Sequence, residues 1–254
     1  MNEPGYYETD RALSEYLLFH YGSAAQVLTW PSGPTNALDY PVRCVTECLD
    51  ARRLPPAARA LDVGCAVGRA TFELARHCRQ VVGIDFSHRF IEVARHLQDR
   101  GSITYAYLEE GQLTTPATAI VPREVDRARV AFEQGDAHEL RPTLGRFDVL
   151  LAANLIDRLR EPRRFLEALL SMINPGGQLI LATPCTWLEE YTPRQHWLGG
   201  FERNGHAIRT LATLHEILDP HFELTQTRDL PFLIREHARK YQWSVAQATV
   251  WLRR

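Results

Sequence analysis

The sequence predicts an α/β fold: a Rossmann-like, mostly parallel sheet with helices on both faces, an antiparallel C-terminal hairpin and an N-terminal helical cap. Three observations carry this expectation. From residue 59 onward, short apolar runs alternate with stretches of helical spacing, a βαβ succession that requires a parallel sheet. The run Leu61-Asp62-Val63 passes into a small-residue turn, Gly64-Cys65-Ala66-Val67-Gly68, ahead of a helical pattern at Arg69. A second apolar run, Val81-Val82-Gly83-Ile84, also ends in an acid, Asp85.

The elements follow in order. Residues 1–58 precede the sheet. Tyr6, Tyr7, Tyr16, Phe19 and Tyr21 make an aromatic-rich lead-in with helical spacing, which Pro31, Gly33 and Pro34 break. Pro41 opens a helix expected over 42–52, stopped by Pro55 and Pro56. Strands one and two are expected over 60–64 and 81–86, with helices over 69–77 and 89–99. Residues 101–129 interrupt the rhythm and read as an insertion. Strand three, 130–134, ends in Gly135-Asp136, and strand four, 148–152, ends in Ala153-Asn154. A helix over 162–173 closes on Asn174-Pro175-Gly176-Gly177 before strand five, 178–182. Residues 183–205 are rich in Trp, Tyr, Pro and Gly and read as a long loop. A helix over 213–218 follows. The runs 222–227 and 231–235 suit an antiparallel hairpin at the sheet edge, and 237–252 adds to the sheet or packs beside it. The expected organisation is one domain: a cap segment 1–58, a cofactor-binding core 59–182, and a substrate loop with a sheet-completing part over 183–254.

Bulk properties narrow the class. The chain has 254 residues, 45% of them hydrophobic, enough for one sizeable core. A formal net charge of -2 gives no basic excess, so no nucleic-acid partner is expected. The five cysteines (Cys44, Cys48, Cys65, Cys78, Cys185) form no C-x-x-C pair, and an odd count suits reduced thiols in the cytoplasm. Cys44 and Cys48 have no matching Cys/His pair, and the ten histidines show no ligand spacing, so no metal is expected. No apolar run approaches the ~20 residues of a membrane span. Met1-Asn2-Glu3-Pro4 lacks the basic-then-apolar pattern of a leader. The expectation is a cytoplasmic protein with no membrane partner, a monomer or weak homodimer.

The turns after the strands point to a ligand. Gly64 and Gly68 remove side-chain bulk, so that backbone N–H groups and the following helix can approach a nucleoside closely. The spacing is G-x-x-x-G rather than G-x-G-x-x-G, and Asp62 just ahead would repel a pyrophosphate. An acid there suits the ammonium of S-adenosylmethionine; its alternative role is a helix cap. Asp85 stands about 20 residues beyond the turn, where a carboxylate accepts from ribose hydroxyls, or caps the next helix, a role open to Ser87 as well. Asp136 accepts from an exocyclic adenine amine while the Ala137 N–H meets the ring, or is a solvated turn residue. What lifts all three is their shared place at the carboxyl edge of an open α/β sheet, where ligands bind. The expected cofactor set is Tyr21, Asp62, Gly64, Cys65, Ala66, Gly68, Asp85, Phe86, Ser87, Gly135, Asp136, Ala137 and Asn154.

Over residues 59–182 the sequence resembles class I S-adenosylmethionine-dependent methyltransferases. Four strings narrow this: LDVGCAVGR (61–69), ANLIDR (153–158), TWLEEYTP (186–193) and WLGGF (197–201). They resemble the methyltransferases of ovothiol biosynthesis, the 4-mercaptohistidine N-methyltransferases, and the likeness runs from YLLFHYG (16–22) to Trp251. In many of those proteins the methyltransferase is fused behind an iron-dependent sulfoxide synthase. No H-x-x-x-E iron site stands ahead of it here, so the expectation is a stand-alone form.

The resemblance implies methyl transfer to the ring nitrogen of 5-thiohistidine nearest the side chain, yielding ovothiol A; the alternatives are a methyltransferase for another small amino-acid-like metabolite and a non-catalytic S-adenosylmethionine-binding protein. Such a transfer needs nucleophile, methyl carbon and leaving sulfur in line, so positioning carries much of the rate. It must also hold a more nucleophilic sulfur off that axis. The candidates to orient or deprotonate the ring are Asn154, Glu189, Glu190 and Tyr191. Arg158 or Arg194 would take the amino-acid carboxylate, and Trp187 and Trp197 would wall the pocket. Glu189 and Glu190 also suit the first turn of a short helix, Arg158 a local ion pair, and His20 and Tyr21 either the donor's methionyl end or the core.

Overall fold

The computed structural model describes residues 5–254. Residues 1–4, where the sequence reading sought a leader pattern, lie outside the described residues.

Five parallel strands build the centre: β1 (Arg59–Val63), β2 (Gln80–Asp85), β5 (Val130–Gln134), β6 (Phe147–Ala153) and β7 (Ile173–Thr183). Two long antiparallel strands, β10 (Phe222–His237) and β11 (Lys240–Arg253), complete a seven-stranded sheet of order β10-β11-β7-β6-β1-β2-β5. The strand order reverses beside β1, which pairs with β2 on one side and β6 on the other. From β1 the chain runs outward to β2 and β5, then crosses back to β6 and runs outward the other way to β7, which opens a crevice at the strands' carboxyl ends. Both faces are buried: along β1, Ala60 enters one core cluster while Leu61 and Val63 enter the other. This is the predicted Rossmann-like sheet with its antiparallel C-terminal hairpin.

Helices α4 (Arg69–Leu74), α5 (His88–Arg100), α6 (Pro162–Leu169) and α7 (Thr210–Leu218) flank the sheet. Ahead of it lie α1 (Asp10–Tyr21), the single turn α2 (Ala24–Val27) and α3 (Tyr40–Thr46). Thr9 caps α1 by accepting the Ala12 N–H, and Ser23 and Gln26 form a capping box on α2. No helix among the described residues is long and apolar enough to cross a membrane.

Three expectations need correction. The helix expected over 42–52 ends at Thr46, because later carbonyls are bonded elsewhere: Gln226 Nε2 donates to Glu47 O at 3.0 Å and Gln178 Nε2 to Asp50 O at 3.0 Å. The insertion 101–129 holds an antiparallel hairpin, β3 (Ser102–Glu110) and β4 (Leu113–Ile120), turning at Gly111 with φ 57°. It packs Tyr107 and Ala117 against Leu18, Val27 and Leu233. The runs 222–227 and 231–235 do not pair with each other; both belong to β10, whose partner is the tail strand β11. Pro231, which interrupts the apolar pattern in sequence, lies inside β10. On an edge strand its missing N–H costs no ladder bond, and its carbonyl accepts from Arg43 Nη1 at 2.9 Å.

Smaller differences lie at the ends of elements. β7 starts at Ile173 and runs through the Pro175-Gly176-Gly177 segment, which shortens α6 to Leu169. The loop after β7 is largely irregular, then forms the short hairpin β8 (Phe201–Arg203) and β9 (His206–Ile208).

Candidate functional site

The carboxyl ends of β1, β2, β5 and β6 open into one cavity of about 370 Å³, roofed by the N-terminal segment. Its floor is the turn after β1. Gly64 and Gly68 have φ 78° and 85°, and Ala66 also lies in the left-handed region at φ 47°. At Gly68 a Cβ would sit 2.5 Å from the Phe132 ring, so glycine lets the turn close on β5. Gly64, Cys65 and Ala66 line the cavity; Gly68 does not. Tyr21 is also absent from the wall, but its hydroxyl donates to Val67 O at 2.8 Å and so fastens α1 to the turn.

The three predicted acids share this cavity. Asp62 is 2% exposed and its Oδ2 accepts from Thr71 Oγ1 at 2.6 Å. Burial pushes its carboxyl up to about 7. Asp85 accepts from Ala66 N at 2.8 Å and from Ser87 N at 2.9 Å, and burial pushes it up to about 6. Neither acid has a cationic partner among the described residues. Asp136 Oδ1 accepts from the His138 N–H at 2.8 Å. Gly135 and Ala137 flank Asp136 on the wall. Phe86 follows Asp85 with 67% of its surface exposed, an apolar ring open to a ligand. Ser87 is buried; it caps α5 at the Phe90 N–H and donates to Tyr7 O at 3.0 Å.

Asn154, at the end of β6, has φ 52° and its Oδ1 accepts from Tyr40 OH at 2.8 Å. Around it the wall turns aromatic, with Tyr7, Tyr16, Phe19, Tyr40 and Phe90 joined by ring contacts between 4.8 and 6.3 Å. His20 stands among them. Its Nδ1 is buried with no hydrogen-bond partner among the described residues, and burial, helped by Arg69, lowers the imidazole to about 3. The ring is therefore neutral at physiological pH.

The residues expected to face an acceptor divide. Arg158 borders the cavity, its Nη1 held by Asp157 O (2.9 Å), Asp157 Oδ2 (3.2 Å) and Thr186 O (3.0 Å). Its guanidinium lies 4.7 Å from the centroid of the Tyr191 ring. The structure does not bring Trp187, Glu189, Glu190, Tyr191, Arg194 or Trp197 to the cavity wall. Trp187 is buried, its indole donating to Thr210 Oγ1 at 2.9 Å. The Trp197 indole donates to Thr192 O at 2.8 Å, under the Arg194 guanidinium. Glu189 and Glu190 are exposed. Aromatic packing, not a pocket, is what these tryptophans build.

Tyr7, Glu8, Tyr16, Tyr40, His138 and Ile234 also line the cavity, and no sequence motif marks them. The lead-in aromatics were visible as a helical pattern, but only tertiary contacts lay them over the sheet: Glu8 accepts the His88 N–H at 2.9 Å and Ser87 holds Tyr7 O. Among the described residues no group of three or more His, Cys, Asp or Glu side chains could hold a metal ion.

Comparison with known proteins agrees with this architecture. A family model described as a methyltransferase domain matches residues 40–221. The ubiquinone biosynthesis O-methyltransferase of Xanthomonas axonopodis pv. citri is 31% identical over 153 residues, 60% of this chain and 53% of that one. The protein of the same name from Azorhizobium caulinodans is 31% identical over 136 residues, 53% and 44% of the two chains. The chain thus spans about half the length of the curated relatives it matches. The solved structure of the YcgJ protein of Bacillus subtilis superposes with a TM-score of 0.50 at 13% identity, covering 79% of this chain and 94% of that one, and shares the fold. By the extent of the family match, the chain belongs to the methyltransferase domain family.

Proposed function

We propose that this protein transfers a methyl group from S-adenosylmethionine to the side-chain-proximal imidazole nitrogen of 5-thiohistidine, the step that yields ovothiol A, with residues 1–254 acting as one domain. The observation that carries the donor half is a pair of acids on one cavity, the buried Asp62 and the half-buried Asp85, without a cationic partner among the described residues. A buried carboxylate is costly unless a positive charge or strong donors meet it. A cationic nucleoside with ribose hydroxyls meets that need. The exposed Phe86 ring offers an apolar face to a base, and Asp136 beside Ala137 offers an acceptor to its amine.

When bound, S-adenosylmethionine supplies a sulfonium-activated methyl group. The chain's own residues bind and align. Asp85 holds the ribose, Asp62 and the turn at 64–66 hold the methionyl end, and Phe86 and Asp136 hold the adenine. On the acceptor side, Asn154 is oriented by Tyr40 and offers its amide to the imidazole ring. His20, kept neutral, gives that ring a hydrogen-bond partner without adding charge. Arg158 has Nε and Nη2 without hydrogen-bond partners among the described residues, and these face an amino-acid carboxylate as a fork. Anchoring the carboxylate at Arg158 and the ring at Asn154 fixes which ring atom points at the methyl, so nitrogen reacts while the sulfur is held aside. The tyrosine and phenylalanine walls exclude water from the transfer.

The resemblance of the TWLEEYTP and WLGGF strings supports this acceptor. A second reading is favoured by the names of the curated relatives: an O-methyl transfer to a phenolic ring, which the aromatic wall would also take. Isotope-labelled donor incubated in parallel with 5-thiohistidine, histidine, ergothioneine and a catechol, followed by mass spectrometry, separates the readings. Label on the ring nitrogen of 5-thiohistidine supports the first; label on the catechol alone replaces it with the second; label on none of them refutes both.

A further inference from the structure

We propose that His138 is a positioning residue that makes the nucleoside end of the cavity selective for a 6-amino purine. The inference rests on the donor reading above and extends it to a residue outside the expected site. His138 Nε2 lies 3.2 Å from the backbone N of Glu161, the residue before α6. A backbone N–H can only donate, so Nε2 must carry the lone pair. The ring proton then sits on Nδ1, which is 3.0 Å from Asp136 Oδ1. The same oxygen accepts the His138 backbone N–H at 2.8 Å. One carboxylate oxygen is therefore held by two donors, while Oδ2 has no hydrogen-bond partner among the described residues. The ring spans from the end of β5 to the start of α6 and is itself largely enclosed, its side chain 15% exposed.

The consequence is chemical. Asp136 has 41% of its side chain exposed, so without the clamp its carboxylate is free to turn toward water. Held in place, Oδ2 presents an acceptor to the purine 6-position. An exocyclic amine donates to it. A 6-oxo group would set oxygen lone pairs against a carboxylate, leaving both groups unpaired. Discrimination thus depends on Asp136 being unable to move, and His138 supplies that constraint.

The test is calorimetry of the full chain with S-adenosylhomocysteine and its 6-oxo analogue, S-inosylhomocysteine. The wild type should prefer the adenosyl compound by about 30-fold or more, as sites built around a hydrogen bond do. In His138→Asn the amide can replace the Nδ1–H donor, and the preference should stay within about threefold of wild type. In His138→Gln the longer amide reaches the Glu161 N–H but gives up the bond to Asp136, and the preference should fall about tenfold through weaker adenosyl binding. Should His138→Gln keep the wild-type ratio, even with both ligands weakened, the ring is structural only and the proposal fails. A wild type that binds both compounds equally also refutes it, while leaving the donor reading standing; a wild type that binds neither refutes the donor reading itself. A second measurement does not depend on any variant folding: long-range proton–nitrogen NMR of the wild type should show His138 protonated at Nδ1 alone, and protonation at Nε2 would overturn the proposal.

Discussion

The carboxylate of Asp85 accepts the backbone N–H of Ala66 at 2.8 Å, so the acid that ends β2 braces the turn that follows β1. Ala66 needs such a brace, since it holds a left-handed φ of 47° that a side chain disfavours. One residue therefore shapes the floor of the cavity and presents the carboxylate proposed for the ribose. In Asp85→Ala both roles go at once. S-adenosylhomocysteine affinity should fall about 100-fold, the equivalent of losing roughly 2–3 kcal/mol of charge-assisted hydrogen bonding. Calorimetry checks this, and unchanged affinity would contradict the ribose role. Asp85→Asn keeps one acceptor oxygen for the turn and should melt closer to wild type than Asp85→Ala while still binding the ligand weakly.

Burial raises Asp62 to about 7 and Asp85 to about 6, which gives the protein a pH signature. A carboxyl whose folded-state value lies above its unfolded value of about 3.9 favours folding most when protonated. That contribution is complete below about pH 4 and is lost as pH rises through 6 and 7. Ligand-free Asp62→Asn should therefore be more stable than wild type at pH 8, by about 1–3 kcal/mol, and equal to it near pH 4. Donor binding runs the other way, because a cation favours the ionised acids. Affinity for S-adenosylmethionine should drop as pH falls through 7 and then 6, and Asp62→Asn should bind weakly with the upper step missing. A denaturant series at the two pH values and a calorimetric pH titration read both effects; a pH-independent affinity would sink the assignment.

The fold was legible because its signals are local. Apolar runs ending in Gly64, Asp85 and Asp136 announce strand ends, and β5 begins and ends where the pattern places it. What was not legible depends on distant partners. Pro231 reads as a strand break until Arg43, 188 residues away in sequence, is seen to take its carbonyl. The hairpin β3–β4 hides in a weak alternation that acquires a buried face only against Leu18 and Leu233. The site shows the same division. The three acids sit at strand ends and could be named from sequence. Tyr7, Tyr16 and Tyr40 could not, because a helical aromatic stripe looks the same whether it covers a core or a cavity. The TWLEEYTP string drew attention as a motif, yet Trp187 is committed to Thr210 and the two glutamates face solvent.

Tyr40 and Asn154 meet at 2.8 Å, hydroxyl to amide oxygen, and the pairing sets which part of the amide is left for an acceptor. Asn154 also tolerates its left-handed φ of 52° better than most residues. Tyr40→Phe removes the hydroxyl while keeping the ring, which stacks on Phe19 at 5.9 Å. The expected result is a fall in kcat of about tenfold with donor affinity unchanged, the mark of lost acceptor alignment rather than lost binding. Asn154→Ala should lose more, about 100-fold in kcat, since the amide itself is gone and the backbone is strained. Steady-state kinetics with a fixed saturating donor checks both; a Tyr40→Phe enzyme at full kcat would show that the pair is structural.

Arg158 and Arg194 are the two candidates in the sequence for binding an acceptor carboxylate, and the structure separates them. Arg158 borders the cavity, with Nη1 anchored by Asp157 and Thr186 and its guanidinium over Tyr191. Arg194 lies 5.6 Å from the Trp197 ring centroid and off the cavity wall. Replacing each in turn should give opposite results. Arg158→Ala should raise the acceptor KM by about tenfold or more, as expected for losing a charge-assisted fork, with little change in donor affinity. Arg158→Lys should recover only part of this, because an ammonium cannot reproduce the planar bidentate geometry. Arg194→Ala should leave the acceptor KM within about twofold and instead lower stability by roughly 0.5–1 kcal/mol through the lost contact with Trp197. An acceptor KM that responds to Arg194 and not to Arg158 would move the carboxylate site to the loop after β7 and require that loop to close over the cavity during the reaction.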